Sequence, residues 1–357
     1  MGPGGFCREV IFFMAIDAVA GGKVNLKGKA GVIKSMYDVT ALGELLIDFT
    51  PSGINDQGAA LFARNPGGAP ANVLAMVRKL GGETAFIGKV GDDEFGRFLE
   101  RTLGAAGIDT SGLVKDPACL TTLAFVHLSE TGDRSFSFYR REGADLMLRR
   151  EEINRRLIDD AKIFHFGSVS LSGQPCRDTV HEAVAYAKSK GKIISYDPNY
   201  RPLLWPGETE AKTELARLLD RADILKVSEE EMILLTDVAN PKEGAILLAE
   251  KGPAIVLVSL GPKGAYYHCA AGSGMLSAYD VKTIDTTGAG DSFLGAVLFR
   301  LRNKSLAELT SISTDELADI VDFANAAGSL ATTKKGAIPA LPTAEEIESC
   351  RKNQRYT

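Results

Sequence analysis

Asp285-Thr286-Thr287-Gly288-Ala289-Gly290-Asp291 runs straight into Ser292-Phe293-Leu294-Gly295-Ala296-Val297-Leu298-Phe299. A polar, glycine-rich turn precedes an apolar stretch in which Phe293, Leu294, Val297, Leu298 and Leu301 recur at helical spacing. The turn is therefore expected to begin a buried helix. The first amides of a helix lack internal partners, and the dipole there favours anions. Gly288 and Gly290 let the backbone come close to a bound group. Such a turn suits a phosphate or a developing phosphoryl charge. Asp291 is a carboxylate where an anion should bind. It reads either as a helix cap or as a base that takes a proton from an attacking hydroxyl.

Working outward, short apolar strands end one after another in polar or glycine-rich groups. Asp48 follows Leu46-Ile47, and Ser168 follows His165-Phe166-Gly167. Asp197-Pro198-Asn199-Tyr200-Arg201 follows Ile193-Ile194, and Ser228-Glu229-Glu230-Glu231 follows Leu225-Lys226-Val227. Gly261-Pro262-Lys263-Gly264 follows Val258-Ser259. Helical stretches lie between, which is the pattern of a parallel sheet covered on both faces. Ligands of open parallel sheets bind outside the carboxyl ends of the strands, so these polar groups should share one crevice. Any one of them alone also reads as a turn or cap.

The stretch 39–49 reads as one buried strand interrupted by Gly43, 50–65 as loop with short strands, 70–80 and 92–103 as helices, and 85–90 as a strand. The stretches 121–128 and 135–140 form an expected hairpin around Glu130-Thr131-Gly132-Asp133, with Phe136 and Phe138 alternating with serines. An antiparallel hairpin inside a βα series implies a small added sheet.

The apolar share of 45% and charged share of 24% are those of an ordinary globule. A net charge of −5 points to neither a nucleic acid nor an acidic membrane as partner. The five cysteines are scattered and lack metal-binding spacing, which suits a reducing cytosol. No apolar run is long enough to span a membrane, and neither GxxxxGK[ST] nor GxGxxG occurs.

Residues 285–298 resemble the C-terminal signature of the ribokinase-like, or PfkB, carbohydrate kinases. Gly67-Gly68-Ala69-Pro70-Ala71-Asn72-Val73-Leu74-Ala75 resembles their N-terminal signature. The resemblance implies a three-layer α/β/α domain with a mainly parallel sheet and a small β-sheet lid. It implies a kinase domain over 36–348, with the lid from about 49–65 and 119–141, between an extension (1–35) and a tail (349–357). The extension carries an apolar run at 10–16 but lies outside the resemblance, and is expected to be dispensable.

By the same resemblance, Asp291 is the catalytic base, and the amides of Gly288, Ala289 and Gly290 form the anion hole. Asp48, Gly68 and Asn72 are the sugar ligands. Glu231 stands in the family's Asn-x-x-Glu motif, where Ser228 replaces the asparagine. Lys226, Ser228, Glu231, Ser259, Gly261, Gly264 and Asn325 are the nucleotide-side candidates. Asp285 and Thr287, with Lys335-Gly336-Ala337, match a monovalent-cation site, with potassium as the candidate. ATP is the implied co-substrate, and Mg2+ is held mostly through phosphate oxygens and water.

Phe138-Tyr139-Arg140-Arg141-Glu142-Gly143-Ala144-Asp145 and the Gly67–Asn72 motif look most like the fructokinases, with Arg140 and Arg201 as further sugar contacts. The resemblance therefore implies transfer from ATP to the 6-hydroxyl of fructose. Kinases of 2-keto-3-deoxygluconate or ribose are the alternatives within the family, and a non-catalytic sugar-sensing homologue is the alternative from another class. A cytoplasmic homodimer is expected.

Overall fold

The computed structural model describes residues 36–128 and 134–353. The extension, the hairpin turn at Glu130–Asp133 and the last four residues lie outside the described residues.

In chain order the strands are β1 (Tyr37–Leu42), β2 (Leu46–Ile54), β3 (Ala60–Gly67), β4 (Thr84–Gly91), β5 (Asp109–Asp116), β6 (Leu123–Leu128), β7 (Arg134–Tyr139), β8 (Ala161–Gly167), β9 (Ile193–Asp197), β10 (Ile224–Ser228), β11 (Ile255–Ser259), β12 (Ala265–Cys269) and β13 (Gly272–Leu276). The helices are α1 (Ala69–Lys79), α2 (Glu94–Ala105), α3 (Arg155–Asp159), α4 (Cys176–Ser189), α5 (Glu208–Arg217), α6 (Glu229–Thr236), α7 (Pro241–Ala249), α8 (Ala289–Leu301), α9 (Leu306–Thr310), α10 (Thr314–Ala331) and α11 (Ala344–Asn353).

Nine strands form one sheet in the order β13-β12-β11-β10-β9-β8-β1-β4-β5. Its pairings from β5 through β11 are parallel, and β12 and β13 add antiparallel at one edge. Central strands are apolar on both faces because helices cover both. Neighbouring residues of one strand enter opposite cores: Ile193, Ile224 and Leu257 join Val73, Leu99, Leu298 and Val321. Ile194, Leu225 and Val256 join Val184, Leu215, Met232 and Leu248 on the other side. The result is the expected three-layer α/β/α arrangement.

Gly43 does more than interrupt a strand. The chain leaves the large sheet at Leu42 and enters a second sheet at Leu46. That sheet has the order β3-β2-β6-β7. The stretch 50–65, expected to be loop with short strands, belongs to an antiparallel hairpin whose register runs from Leu46↔Gly67 to Ile54↔Ala60, with a shift between Pro51 and Ile54. Side chains alternate across its two faces. Asp48, Thr50, Ala63, Asn65, Val126 and Phe138 line a cavity. Phe49, Phe62, Phe125 and Tyr139 make an aromatic row on the opposite face, and Phe95 of α2 meets Phe49 edge-on at 5.8 Å.

The C-terminal boundary needs correction. The stretch expected to be a tail from 349 begins inside α11, which runs to Asn353. Cys350 is buried, and Arg351 pairs with Asp319 and Asp322 of α10.

Candidate active site

A cavity of about 570 Å³ opens at the carboxyl ends of β1, β8, β9 and β10, beneath the small sheet. Asp48, Gly68, Asn72, Arg201, Lys226, Asp285, Thr287, Gly288, Gly290 and Asp291 all line it. Of the strand-end groups expected to converge, Asp48, Asn199 and Arg201 line it, joined by Val169 beside Ser168 and by Lys226 within β10, whereas Ser168, Ser228–Glu231 and Gly261–Gly264 do not.

Asp291 is buried in the first turn of α8. Its carboxylate accepts a hydrogen bond from Asn72 Nδ2 at 2.8 Å. That contact depends on close packing of α1 against α8. A Cβ on Gly295 would stand 2.6 Å from Met76 Cβ and 2.7 Å from the Val73 carbonyl, so only glycine lets the helices approach this far. Gly295→Val is expected to cost about 1–3 kcal/mol by overpacking and to lower the melting temperature together with turnover. A variant that melts and turns over like the parent would show that the helix separation does not matter.

Burial pushes the Asp291 carboxyl up to about 6, despite the Asn72 hydrogen bond and the Lys226 and Arg201 charges. Asp48 is likewise raised to about 6 by burial, with Arg201 pulling it down and Asp291 pushing it up. The two carboxylates and Arg201 thus share one electrostatic neighbourhood.

Gly288 caps α8 with φ 75°, and a Cβ there would lie 2.6 Å from that of Ala337. The Ala289 amide makes a long bond of 3.3 Å to the Thr286 carbonyl, while the Gly288 and Gly290 amides make no hydrogen bond among the described residues. Lys226 Nζ lies 3.1 Å from the point where a Gly290 Cβ would be. It is buried and pairs with Asp197 at 2.9 Å. Burial works against its charge, but the Asp197, Glu231 and Asp291 carboxylates together outweigh it and hold the ammonium above its usual range. Free amides and a fixed cation therefore face the same corner of the cavity as Asp291.

Arg201 lies along the cavity wall, its guanidinium bonded to the Tyr200 carbonyl at 3.1 Å. Arg140, expected to reach a sugar from the small sheet, does not line the cavity. Its guanidinium is committed to Asp145 through Nε at 2.8 Å and Nη2 at 2.6 Å, to Ser172 at 2.6 Å and to the Val169 carbonyl at 2.9 Å. It braces the wall behind Val169.

The other nucleotide-side candidates lie outside the cavity lining, along the same sheet edge. Ser228 and Ser259 sit side by side in register. Ser228 caps α6 by accepting from the Glu231 amide, and Ser259 bonds the Val227 carbonyl. Glu231 accepts from the Tyr200 amide at 2.6 Å and the Ser228 amide at 2.7 Å, so it shapes the loop that carries Arg201. Gly261 and Gly264 adopt positive φ, and a Cβ on Gly264 would reach 2.0 Å from the Leu276 carbonyl. Asn325 donates to that same carbonyl at 3.0 Å. These residues form a second, contiguous cluster beside the end of β11.

Asp285 is an anchor within the turn. It accepts from the Thr287 amide and hydroxyl and from the Gly336 amide, at 3.0, 2.7 and 3.0 Å. Among the described residues there is no cluster of three or more His, Cys, Asp or Glu side chains fit to hold a metal ion.

Glu44 and Asn65 line the cavity too, and the sequence reading did not single them out. Asn65 Nδ2 bonds Thr50 Oγ1 at 2.8 Å. The only signal for Glu44 was an acidic residue inside an otherwise apolar run.

A model of the pfkB family of carbohydrate kinases matches residues 36–344. The chain belongs to the pfkB carbohydrate kinase family. This carbohydrate kinase is 44% identical to Fructokinase-1 of Zea mays over 313 residues, covering 87% of this chain and 96% of the maize protein. Among solved structures it resembles fructokinase of Xylella fastidiosa with bound ATP, at TM-score 0.82 and 33% identity, covering 89% of this chain and 99% of that one. It also resembles fructokinase of Vibrio cholerae O395 in its fructose-, ADP- and calcium-bound form, at TM-score 0.78 and 36% identity, covering 88% and 99%. Among the described residues of this kinase, no helix is long and apolar enough to cross a membrane.

Proposed function

We propose that this chain is an ATP-dependent fructokinase that transfers the γ-phosphoryl group of ATP to the 6-hydroxyl of D-fructose. The observation that carries the reading is the corner where buried Asp291, the unbonded Gly288 and Gly290 amides and Lys226 meet. Asp291 takes the proton of the attacking hydroxyl, whose oxygen bonds to the γ-phosphorus as the bond to the bridging oxygen breaks and ADP leaves. The amides and Lys226 meet the charge on the transferring group. Mg2+ carried on the phosphate oxygens would neutralise charge there. Asp285 and Thr287 are the proposed potassium-side groups, beside the turn they stabilise. The Ser259, Gly261, Gly264 and Asn325 cluster is the proposed nucleotide side.

Two observations favour a neutral polyol over a carboxylated sugar. Asp48, Asn72 and Asp291 present acceptors, and Asn72 Oδ1 is buried without a partner among the described residues. Hydroxyl groups supply the missing donors, whereas a carboxylate would not. Arg140, the second arginine that an acidic sugar would call on, is already committed. The names of the plant and bacterial relatives point the same way.

An ADP-release assay tests this sugar side directly. Asp48→Ala is expected to raise the KM for fructose about tenfold or more, with the KM for ATP within about twofold. Equal changes in both, or no change, would remove Asp48 from the sugar site. The pH profile is a second test. Asp291 must be unprotonated to act, and its raised pKa predicts that kcat/KM falls as pH drops through about 6. Because Asp48 titrates in the same range and interacts with it, the acid limb should be steeper than one proton. A flat profile between pH 5 and pH 7, on the order of the usual assay range, would contradict the assignment.

Ile54, Leu61, Phe62 and Tyr139 of the small sheet are exposed, and a second copy of the chain is the proposed cover. Sedimentation should give a dimer; a strict monomer would remove this part. Among the described residues Cys119, Cys176 and Cys269 are free thiols, which supports placing the protein in the cytosol.

A further inference from the structure

Glu44 stands in the connection between β1 and β2, where the chain passes from one sheet to the other. It is 4% exposed yet forms part of the cavity wall. Its Oε1 accepts from the Ala69 amide, the first of α1, at 3.0 Å. The Glu44 backbone is locked to the same turn: a Cβ on Gly68 would lie 2.4 Å from the Glu44 carbonyl oxygen. Capping the helix uses one oxygen. Oε2 is buried and has no hydrogen-bond partner among the described residues.

Arg140, the cation whose charge reaches Glu44, spends its donors on Asp145, Ser172 and Val169. Burial pushes the Glu44 carboxyl up to about 7, as befits an oxygen that neither solvent nor protein satisfies. Asn72 Oδ1, three residues beyond Ala69 on the same helical turn, is an orphan acceptor as well. A buried acceptor without a donor is destabilising, so two of them on one cavity wall mark a place where a ligand brings the donors.

We propose that Glu44 is a further sugar-positioning residue: Oε1 fixes the first turn of α1, and Oε2 accepts a hydrogen bond from a hydroxyl of the bound sugar. The proposal rests on the sugar-kinase reading. It adds a third carboxylate, beside Asp48 and Asp291, to the groups that select a polyhydroxyl acceptor.

Glu44→Gln separates the two roles. The glutamine oxygen still accepts from Ala69, but its NH2 presents a donor where an acceptor was needed. The variant should melt no lower than the parent at neutral pH, because glutamine removes the cost of ionising a buried carboxyl raised to about 7. Its KM for fructose should rise about tenfold and its KM for ATP stay within about twofold. A variant whose KM for fructose stays within about twofold of the parent would overturn the proposal. Should the variant not fold, a crystal structure of the unmodified chain with fructose decides. A sugar oxygen within about 3.2 Å of the Glu44 carboxylate is expected, and a nearest sugar oxygen beyond about 4 Å overturns the assignment. If the unmodified chain prefers another sugar, the fructose reading falls, and both tests apply unchanged with that sugar.

Discussion

Asp291→Asn is expected to lower kcat by about 10² to 10⁴ while leaving ATP binding close to that of the parent. Asparagine keeps the shape of the side chain and can still accept from Asn72 Nδ2, so the geometry of α1 against α8 survives. What it cannot do is take the proton of the attacking hydroxyl. The loss should therefore appear in kcat, with nucleotide affinity by calorimetry unchanged. The same variant should be more heat-stable near neutral pH. A carboxyl whose pKa is raised by folding stabilises the fold in acid, where the folded state holds its proton more tightly. That contribution is lost as pH rises from the ordinary value of 3.8 through about 6. Above this window the ionised, buried Asp291 is a cost that asparagine removes. A higher melting temperature with collapsed turnover marks a site built for chemistry at the expense of stability. Near-normal turnover would take the base role away from Asp291.

Lys226→Met is expected to cost about 3–5 kcal/mol of stability, because it leaves Asp197 buried without its partner. Both side chains are almost fully enclosed, at 8% and 2% exposure, and their ion pair spans two neighbouring strands of the sheet. Asp197 also accepts from the Asn199 amide, so its displacement would disturb the loop that carries Arg201. Adding Asp197→Asn to Lys226→Met should recover much of the loss, since the uncompensated charge is then gone. Activity should not recover with it, because the cation beside Gly290 remains absent. Chemical denaturation of the two single variants and the double variant measures the coupling. Additive losses in the three would contradict a paired, buried Lys226–Asp197 unit.

Much of this architecture is legible in local pattern. The turn at 285–291, the apolar spacing of α8 and the short strands with polar ends are properties of neighbouring residues. They predict the parallel sheet, its two cores and the crevice. Sheet membership is not local. The stretch from Val39 to Phe49 reads as one buried strand because both β1 and the start of β2 are buried, yet the chain changes sheets between them. The fifth strand, Asp109–Asp116, carries only two buried residues, so it has no apolar signature to read.

Side-chain partners are less legible still. Arg140 looks like a free cation in the sequence, and only the fold brings Ser172 and the Val169 carbonyl to it. Glu44 is hidden for the opposite reason. Its partner, Ala69, is an amide on a helix that begins beyond the whole β2–β3 hairpin. Asp291 and Asn72 are each visible within a motif, but their 2.8 Å contact depends on a glycine, Gly295, whose spatial role no periodicity expresses.

The most direct test of the function is the acceptor preference of the unmodified protein. kcat/KM should be measured by ADP release for fructose, ribose and 2-keto-3-deoxygluconate at saturating ATP. Cavity walls rich in carboxylate and amide acceptors, with Arg140 withdrawn, predict that fructose exceeds 2-keto-3-deoxygluconate by tenfold or more, a transition-state preference of about 1.4 kcal/mol, and the similarity to fructokinases predicts the same margin over ribose. A competitor that exceeds fructose by the same margin would contradict the fructokinase assignment, while release of ADP with any of the three would leave the family's kinase chemistry standing.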